Sequence, residues 1–241
     1  MRIAIVSDVH GNLTAFEAVL ADLLISSPDL VFHGGDLADA GASPLEIVDR
    51  IRDLGWPGVA GNTDQMLWNP ETLTNFASQS PAMQPFLSIL EEMAQVTRDL
   101  LGPDRLHWLS ALPLSQTHDN LALVHASPGD PWCAPAPEAT DAEFQSIFGK
   151  LARTVAVYGH IHRPFLRAMQ HLLVANSGSV GLPYDGDPRA SYLLLDDDMP
   201  RIRRVDYNVE KEIKALTAST LPHTGWVVKS LRTGTAQVPQ K

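Results

Sequence analysis

Five short apolar runs in this chain each lead to a residue able to bind a metal ion, and this repeated ending constrains the fold more than any other feature. Residues 2–7 stop at Asp8, and residues 30–33 pass through Gly34-Gly35 to Asp36. Val59-Ala60 leaves through Gly61 to Asn62, residues 121–124 stop at His125, and residues 154–158 pass through Gly159 to His160. Runs this short and this apolar predict strands buried on both faces, as in a parallel sheet covered by helices. In open α/β sheets ligands gather outside the carboxyl ends of the strands. Residues more than 150 positions apart are therefore expected to meet at one sheet edge. His10 and His162 follow Asp8 and His160 by two residues, where a tight loop can turn them toward the same point.

Between these runs the spacing changes from strand to helix. Asn12 is placed to cap a helix in which Leu13, Phe16, Val19, Leu20, Leu23 and Leu24 recur at helical intervals until Ser26-Ser27-Pro28. Ser43-Pro44-Leu45-Glu46 predicts a second helix with a capping box and proline in its first turn, and Thr140 to Glu143 predicts another capping box. Residues 65–117 lack strand character and carry helical patterning at 86–101 and 104–112, which reads as a helical insertion beside the site. Later strands are expected at 172–175, 191–195 and 202–207, and a helix at 209–216. One domain over 1–232 is expected, with 233–241 as a frayed polar tail.

Composition narrows the function. A formal net charge of -10 argues against a general affinity for nucleic acid or anionic membranes, which calls for a clustered basic surface. A small soluble substrate fits better. No apolar run reaches the roughly 18 residues of a membrane span, and no secretory leader pattern opens the chain. The single cysteine, Cys133, agrees with a reducing compartment and reads as a small, partly buried residue, so a cytoplasmic location is expected.

Imidazole nitrogens with carboxylate and amide oxygens form a mixed donor set suited to Mn, Fe, Zn or similar divalent ions. Seven such donors, Asp8, His10, Asp36, Asn62, His125, His160 and His162, are too many for one tetrahedral ion. They suit two ions sharing a bridging carboxylate, for which Asp36 is the candidate. The motifs Asp8-Val9-His10-Gly11-Asn12, Gly35-Asp36, Gly61-Asn62-Thr63-Asp64, Val124-His125 and Gly159-His160-Ile161-His162 occur in that order. So ordered, they resemble the calcineurin-like metallophosphoesterases, in particular the small bacterial and archaeal branch of phosphodiesterases and diadenosine tetraphosphatase-like proteins. The segments Asn176–Gly181 and Asp185–Ser191 resemble the closing turn and strand entry of that family.

The resemblance implies an α/β fold, a four-layer αββα sandwich. It implies that Asp8, His10, Asp36 and His162 hold one ion and Asp36, Asn62, His125 and His160 the other, with Asp36, Asn62 and His125 at the catalytic centre. A hydroxide bridging the ions would attack phosphorus while the ions stabilise charge on the phosphoryl oxygens. The alternatives are a phosphomonoesterase or protein phosphatase, and a non-catalytic scaffold on the same fold, as in the retromer scaffold subunit.

Two positions depart from the pattern. Thr63 stands where the best-known members carry a histidine that binds phosphate and protonates the leaving oxygen, and Gly129 stands where the branch has arginine. Threonine cannot act as an acid near neutral pH. With two ions, two aspartates and one hydroxide, the site carries about one positive unit and matches a singly charged diester, or an anhydride with a good leaving group, better than a dianionic monoester. Thr63, Arg163 and Arg189 are the expected substrate-binding residues, Asp64 a structural one, and Trp68 and Trp132 candidates to wall a pocket for a base or aryl group.

Overall fold

The computed structural model describes residues 1–197 and 199–239. Its first unit is strand β1 (Arg2–Val6), helix α1 (Leu13–Ser26) and strand β2 (Leu30–His33). Asn12 caps α1 as its position predicts, accepting the Ala15 N–H at 2.9 Å, and Ser27 ends the helix in a left-handed conformation. Helix α2 (Pro44–Leu54) begins after Ser43, but the expected capping box does not form. The Ser43 N–H instead donates to the Gly11 carbonyl at 2.9 Å, which ties the start of α2 to the loop after β1.

Helices α3 (Asn62–Trp68), α4 (Glu71–Gln79) and α5 (Leu87–Ser110) follow. Helix α5 is broken at Gly102, whose φ of 68° and ψ of 172° precede Pro103, so the two helical patterns read from sequence are one element with a kink. The remaining strands are β3 (Ser115–His118), β4 (Leu121–Val124), β5 (Val155–Tyr158), β6 (Phe165–Ala168), β7 (Leu173–Asn176), β8 (Ala190–Asp196) and β9 (Met199–Val205). Helix α6 (Asp141–Phe148) precedes β5, and α7 (Val209–Ala218) and α8 (Gly225–Thr233) follow β9. The capping box of α6 is formed, with the Thr140 hydroxyl accepting the Glu143 N–H and the Glu143 carboxylate accepting the Thr140 N–H.

The strands form two sheets, ordered β2-β1-β8-β9 and β3-β4-β5-β7-β6. Alternate residues of each strand point to opposite faces, and here both faces are apolar. Ile3, Ile5, Leu193 and Leu195 of the first sheet meet Leu121, Leu123, Val155 and Val157 of the second. On the far face of the first sheet Ala4, Val6, Tyr192 and Leu194 pack with Phe16, Val19, Ile47 and Ile51 of α1 and α2. On the far face of the second, Val124, Ala156, Tyr158 and Val174 pack with Phe144 and Phe148 of α6. The layers are thus helix, sheet, sheet, helix, the four-layer sandwich expected.

The differences from the sequence reading have physical causes. Val59-Ala60 is not a strand, although the Val59 N–H still bonds the His33 carbonyl at 3.1 Å, and Asn62 opens α3 instead of ending a strand. Strand β3 falls inside the stretch read as helical, and β6 was not expected. Both are half-exposed sheet edges without the apolar run of a central strand. Helix α8 reaches Thr233, and the Gly234 carbonyl accepts the Gly186 N–H at 2.8 Å, so the start of the expected tail is tied to the fold. Gln240 and Lys241 of that tail lie outside the described residues. Cys133 is exposed.

His33 closes β2 fully buried, its ring 6.1 Å from that of Trp108, and neither ring nitrogen has a hydrogen-bond partner. Burial pushes its pKa down to about 4. The unfolded chain takes up a proton below about pH 6.5 while the folded chain does not, so this stability is present above pH 6.5 and is lost as pH falls toward 4. The full effect is on the order of 3 kcal/mol. Urea unfolding of metal-free protein at pH 7 and pH 4.5 is expected to show a smaller acid loss in His33→Leu than in wild type; equal losses would contradict this reading.

Candidate metal centre

The proposed ligands sit where the chain leaves its strands, and the turns there are tight. Asp8, His10, Asp36, His160 and His162 all have positive φ, between 48° and 64°. Non-glycine residues in the left-handed region cost on the order of 1 kcal/mol each. Neighbouring loops hold them there. The N–H groups of Asp8 and His10 donate to the carbonyls of Gly35 and Asp36 at 3.0 Å, so the loops after the parallel pair β1 and β2 run side by side. Glycine is required where backbone meets ligand: a Cβ at Gly61 would lie 2.1 Å from Asp36 Oδ1, and one at Gly159 would lie 2.4 Å from Asp8 Oδ2.

Asp64 anchors the third loop. Its buried carboxylate accepts the N–H groups of Asp36 at 2.8 Å, Leu37 at 2.9 Å and Gly61 at 3.0 Å, which fixes the Asp36 turn against the start of α3. Burial and the neighbouring Asp36 charge push it up to about 6 despite those bonds. This is the structural role expected from sequence.

The seven side chains converge. Asp36 lies between two imidazoles, with Oδ2 3.6 Å from His10 Nε2 and Oδ1 3.4 Å from His125 Nε2. On the first side His10 Nε2 is 3.2 Å from His162 Nε2, which is 3.2 Å from Asp8 Oδ1. On the second side Asn62 Oδ1 is 3.0 Å from His125 Nε2 and 2.9 Å from His160 Nδ1.

The hydrogen bonds at the backs of the rings decide what these atoms can do. His10 Nδ1 meets the Asp39 carbonyl at 3.0 Å, His162 Nδ1 the Leu182 carbonyl at 2.6 Å, and His125 Nδ1 the Gly34 carbonyl at 2.7 Å. A carbonyl only accepts, so each Nδ1 carries a proton, and whenever the ring is neutral Nε2 turns a lone pair inward. Facing lone pairs and carboxylate oxygens repel unless a cation stands among them. One donor atom each from Asp8, His10, Asp36 and His162 lies within 4.8 Å of the others, all four residues are buried, and Asp8 Oδ2 is buried with no partner. The donor set therefore fits divalent ions.

The charges agree. Burial alone would raise both carboxyl groups, but Asp36 facing His125 and His10, and Asp8 facing His162, are held well below the usual carboxylate range. Burial likewise opposes a charge on His125, yet the Asp36 carboxylate pushes it up to about 10. In the cation-free chain a proton thus takes part of the cation's place, and loading a metal must displace it. His160, with no such close carboxylate, is pushed down to about 4 by burial and by His125.

A cavity of about 340 Å³ opens on this cluster, within the size range of small-molecule sites. His10, Asp36, Asn62, Thr63, His160 and His162 line it, while Asp8 and His125 lie deeper. The Thr63 N–H donates to Asp36 Oδ1 at 2.9 Å, and its hydroxyl has no partner. Arg163 and Arg189 are not brought to the cavity. Both are exposed and turn to surface carboxylates, Arg163 to Glu138 at 2.8 Å and Arg189 to Asp187 at 2.6 Å. Of the two tryptophans, Trp132 lines the cavity and Trp68 does not.

Two contributors escaped sequence reasoning. Asp39 orients His10 through its carbonyl, and its buried carboxyl accepts from the Thr97 hydroxyl at 2.9 Å and is pushed up to about 7 by burial. Its position three residues beyond Asp36 was the available signal. The Tyr184 ring stacks on His162 at 4.4 Å and 22°, from between the two closing segments singled out in the sequence.

A family profile described as the calcineurin-like phosphoesterase superfamily domain matches residues 1–199. The chain belongs to that superfamily. An uncharacterized protein of Methanocaldococcus jannaschii is 30% identical, over 96% of this chain and 98% of its own. The phosphodiesterase YfcE of Escherichia coli is 26% identical, over 83% of this chain and 89% of its own. Among solved structures, a metallophosphoesterase from Sphaerobacter thermophilus superposes with a TM-score of 0.79 and 26% identity, covering 97% of this chain and all of the other. Superfamily membership together with the buried Asp and His cluster makes this a metal-dependent phosphohydrolase and disfavours the scaffold reading.

If Asp36 is shared, Asp36→Asn removes charge from both halves of the centre. Metal analysis after Mn loading and desalting is expected to show both ions largely lost. Retention of two ions per chain would refute the shared role.

Proposed function

We propose that the chain hydrolyses singly charged phosphodiesters, with one divalent ion held by Asp8, His10, Asp36 and His162 and a second by Asp36, Asn62, His125 and His160. The observation that carries this reading is the position of Asp36, one oxygen toward His10 and the other toward His125. Ions bound there supply Lewis acidity toward the phosphoryl oxygens and make water nucleophilic near neutral pH. Asp36, Asn62 and His125 form the catalytic centre. Mixed nitrogen and oxygen donors suit Mn, Fe or Zn, with Mn the first choice for assay.

The protein's own residues then set the preference. Thr63, beside Asn62, lines the cavity with its hydroxyl buried and unpartnered, and an alcohol cannot protonate a leaving group near neutral pH. Esters whose leaving groups depart as stable anions are favoured. The phosphodiesterase name of the Escherichia coli relative supports the same preference. The substrate is small and phosphorylated, and nucleotide-like compounds fall within this class. No helix among the described residues is long and apolar enough to cross a membrane, and the lone cysteine supports a cytoplasmic place of action.

Under Mn, kcat/KM for bis(p-nitrophenyl) phosphate is expected to exceed that for p-nitrophenyl phosphate by at least about tenfold, and Thr63→His is expected to raise monoester turnover by about tenfold or more, a part of the roughly hundredfold or greater contribution of a well-placed general acid. Faster monoester turnover by the wild type would overturn the diester preference.

A further inference from the structure

The cavity is sharply divided in chemistry. One end is the ligand cluster. Much of the remaining lining is apolar, including Met66 of α3, Leu73 and Phe76 of α4, Leu90 of α5 and Trp132 of the loop after β4. No lysine or arginine lines the cavity among the described residues. A polyphosphate chain running away from the metal end would meet hydrocarbon in place of cations.

The aromatic part of this wall is held in place. The rings of Phe76 and Trp132 pack against each other with centroids 4.9 Å apart and planes tilted by 33°. Trp132 is fixed twice, its Nε1–H donating to Gln65 Oε1 at 2.6 Å and its backbone N–H to Asp130 Oδ1 at 2.8 Å. Gln65 and Thr63 belong to the same helix that begins at Asn62, so one rigid element carries a metal ligand, a cavity-lining residue and the brace of the aromatic wall. Preorganised rings lose little freedom when another ring packs on them.

Building on the diesterase reading, we infer that this wall is a ring-binding subsite: the preferred substrate is a singly charged phosphodiester with at least one flat ester group, an aryl or nucleobase ring, seated against Phe76 and Trp132. The phosphate occupies the metal end and the ring the apolar end. A compact alkyl diester fills only the first, and a long polyphosphate finds no counter-charge beyond it.

Calorimetric titration of the Mn-loaded protein tests this with slowly hydrolysed anions of equal charge. Diphenyl phosphate and the dinucleotide thymidylyl-thymidine present an aryl and a nucleobase ring respectively, and diethyl phosphate presents neither. At least one ring-bearing anion is expected to bind about tenfold or more tightly than diethyl phosphate, the scale of one ring stacked on an aromatic wall, and the tighter of the two identifies the ring. The ratio is expected to collapse toward one in Trp132→Ala and in Phe76→Ala, and to be largely kept in Trp132→Phe. Equal affinities in the wild type, or a ratio unchanged in both alanine variants, would overturn the subsite. Turnover of bis(p-nitrophenyl) phosphate by the same preparation separates the two claims. Turnover without ring discrimination removes the subsite and leaves the diesterase; ring discrimination without turnover does the reverse.

Discussion

The structure is organised around one buried carboxylate that must face two imidazoles at once. Asp36 places an oxygen 3.6 Å from His10 and another 3.4 Å from His125, and each imidazole is already committed at its back to a main-chain carbonyl. The chain thereby concentrates carboxylate and imidazole groups in one buried cluster, an arrangement that opposes folding unless positive charge, a proton or a metal ion, enters. Much of the surrounding architecture reads as the means of tolerating it. Asp64 pins the Asp36 turn through three N–H groups, the Thr63 N–H donates to Asp36 itself, and side-by-side loops absorb the left-handed backbone.

The two halves of the fold carry different work. The sheets, apolar on both faces and sandwiched by helices, fix the strand ends with little freedom, so ligands from distant parts of the chain meet within hydrogen-bonding distances. Helices α3, α4 and α5 share the core on the outer face of the first sheet through Met66, Leu67, Leu73 and Ala94. They also contribute apolar lining to the cavity, the feature on which the proposed ring-binding subsite rests.

The convergence of the candidate ligands was the most legible feature of the sequence because strand ends and ligand types coincide: Asp8, Asp36, His125 and His160 each follow an apolar run. The four-layer arrangement was legible only through the resemblance those motifs carry. Asn62 is expected at a strand end and instead opens α3, where its Oδ1 lies 3.0 Å from His125 Nε2 and 2.9 Å from His160 Nδ1. Edge strands β3 and β6 were missed because one face of each meets solvent and leaves no apolar run. The arginines failed for another reason: proximity in sequence to a ligand says nothing about a long flexible side chain, and Arg163 and Arg189 each find a carboxylate on the surface. Ring partners such as Phe76 with Trp132, 56 positions apart, have no sequence signature at all.

The most direct test of the central claim is an anomalous difference map from crystals of the Mn-loaded protein. Two peaks are predicted, one among Asp8, His10 and His162 and the other among Asn62, His125 and His160, with Asp36 in contact with both. A single peak, or two peaks of which only one touches Asp36, would contradict it.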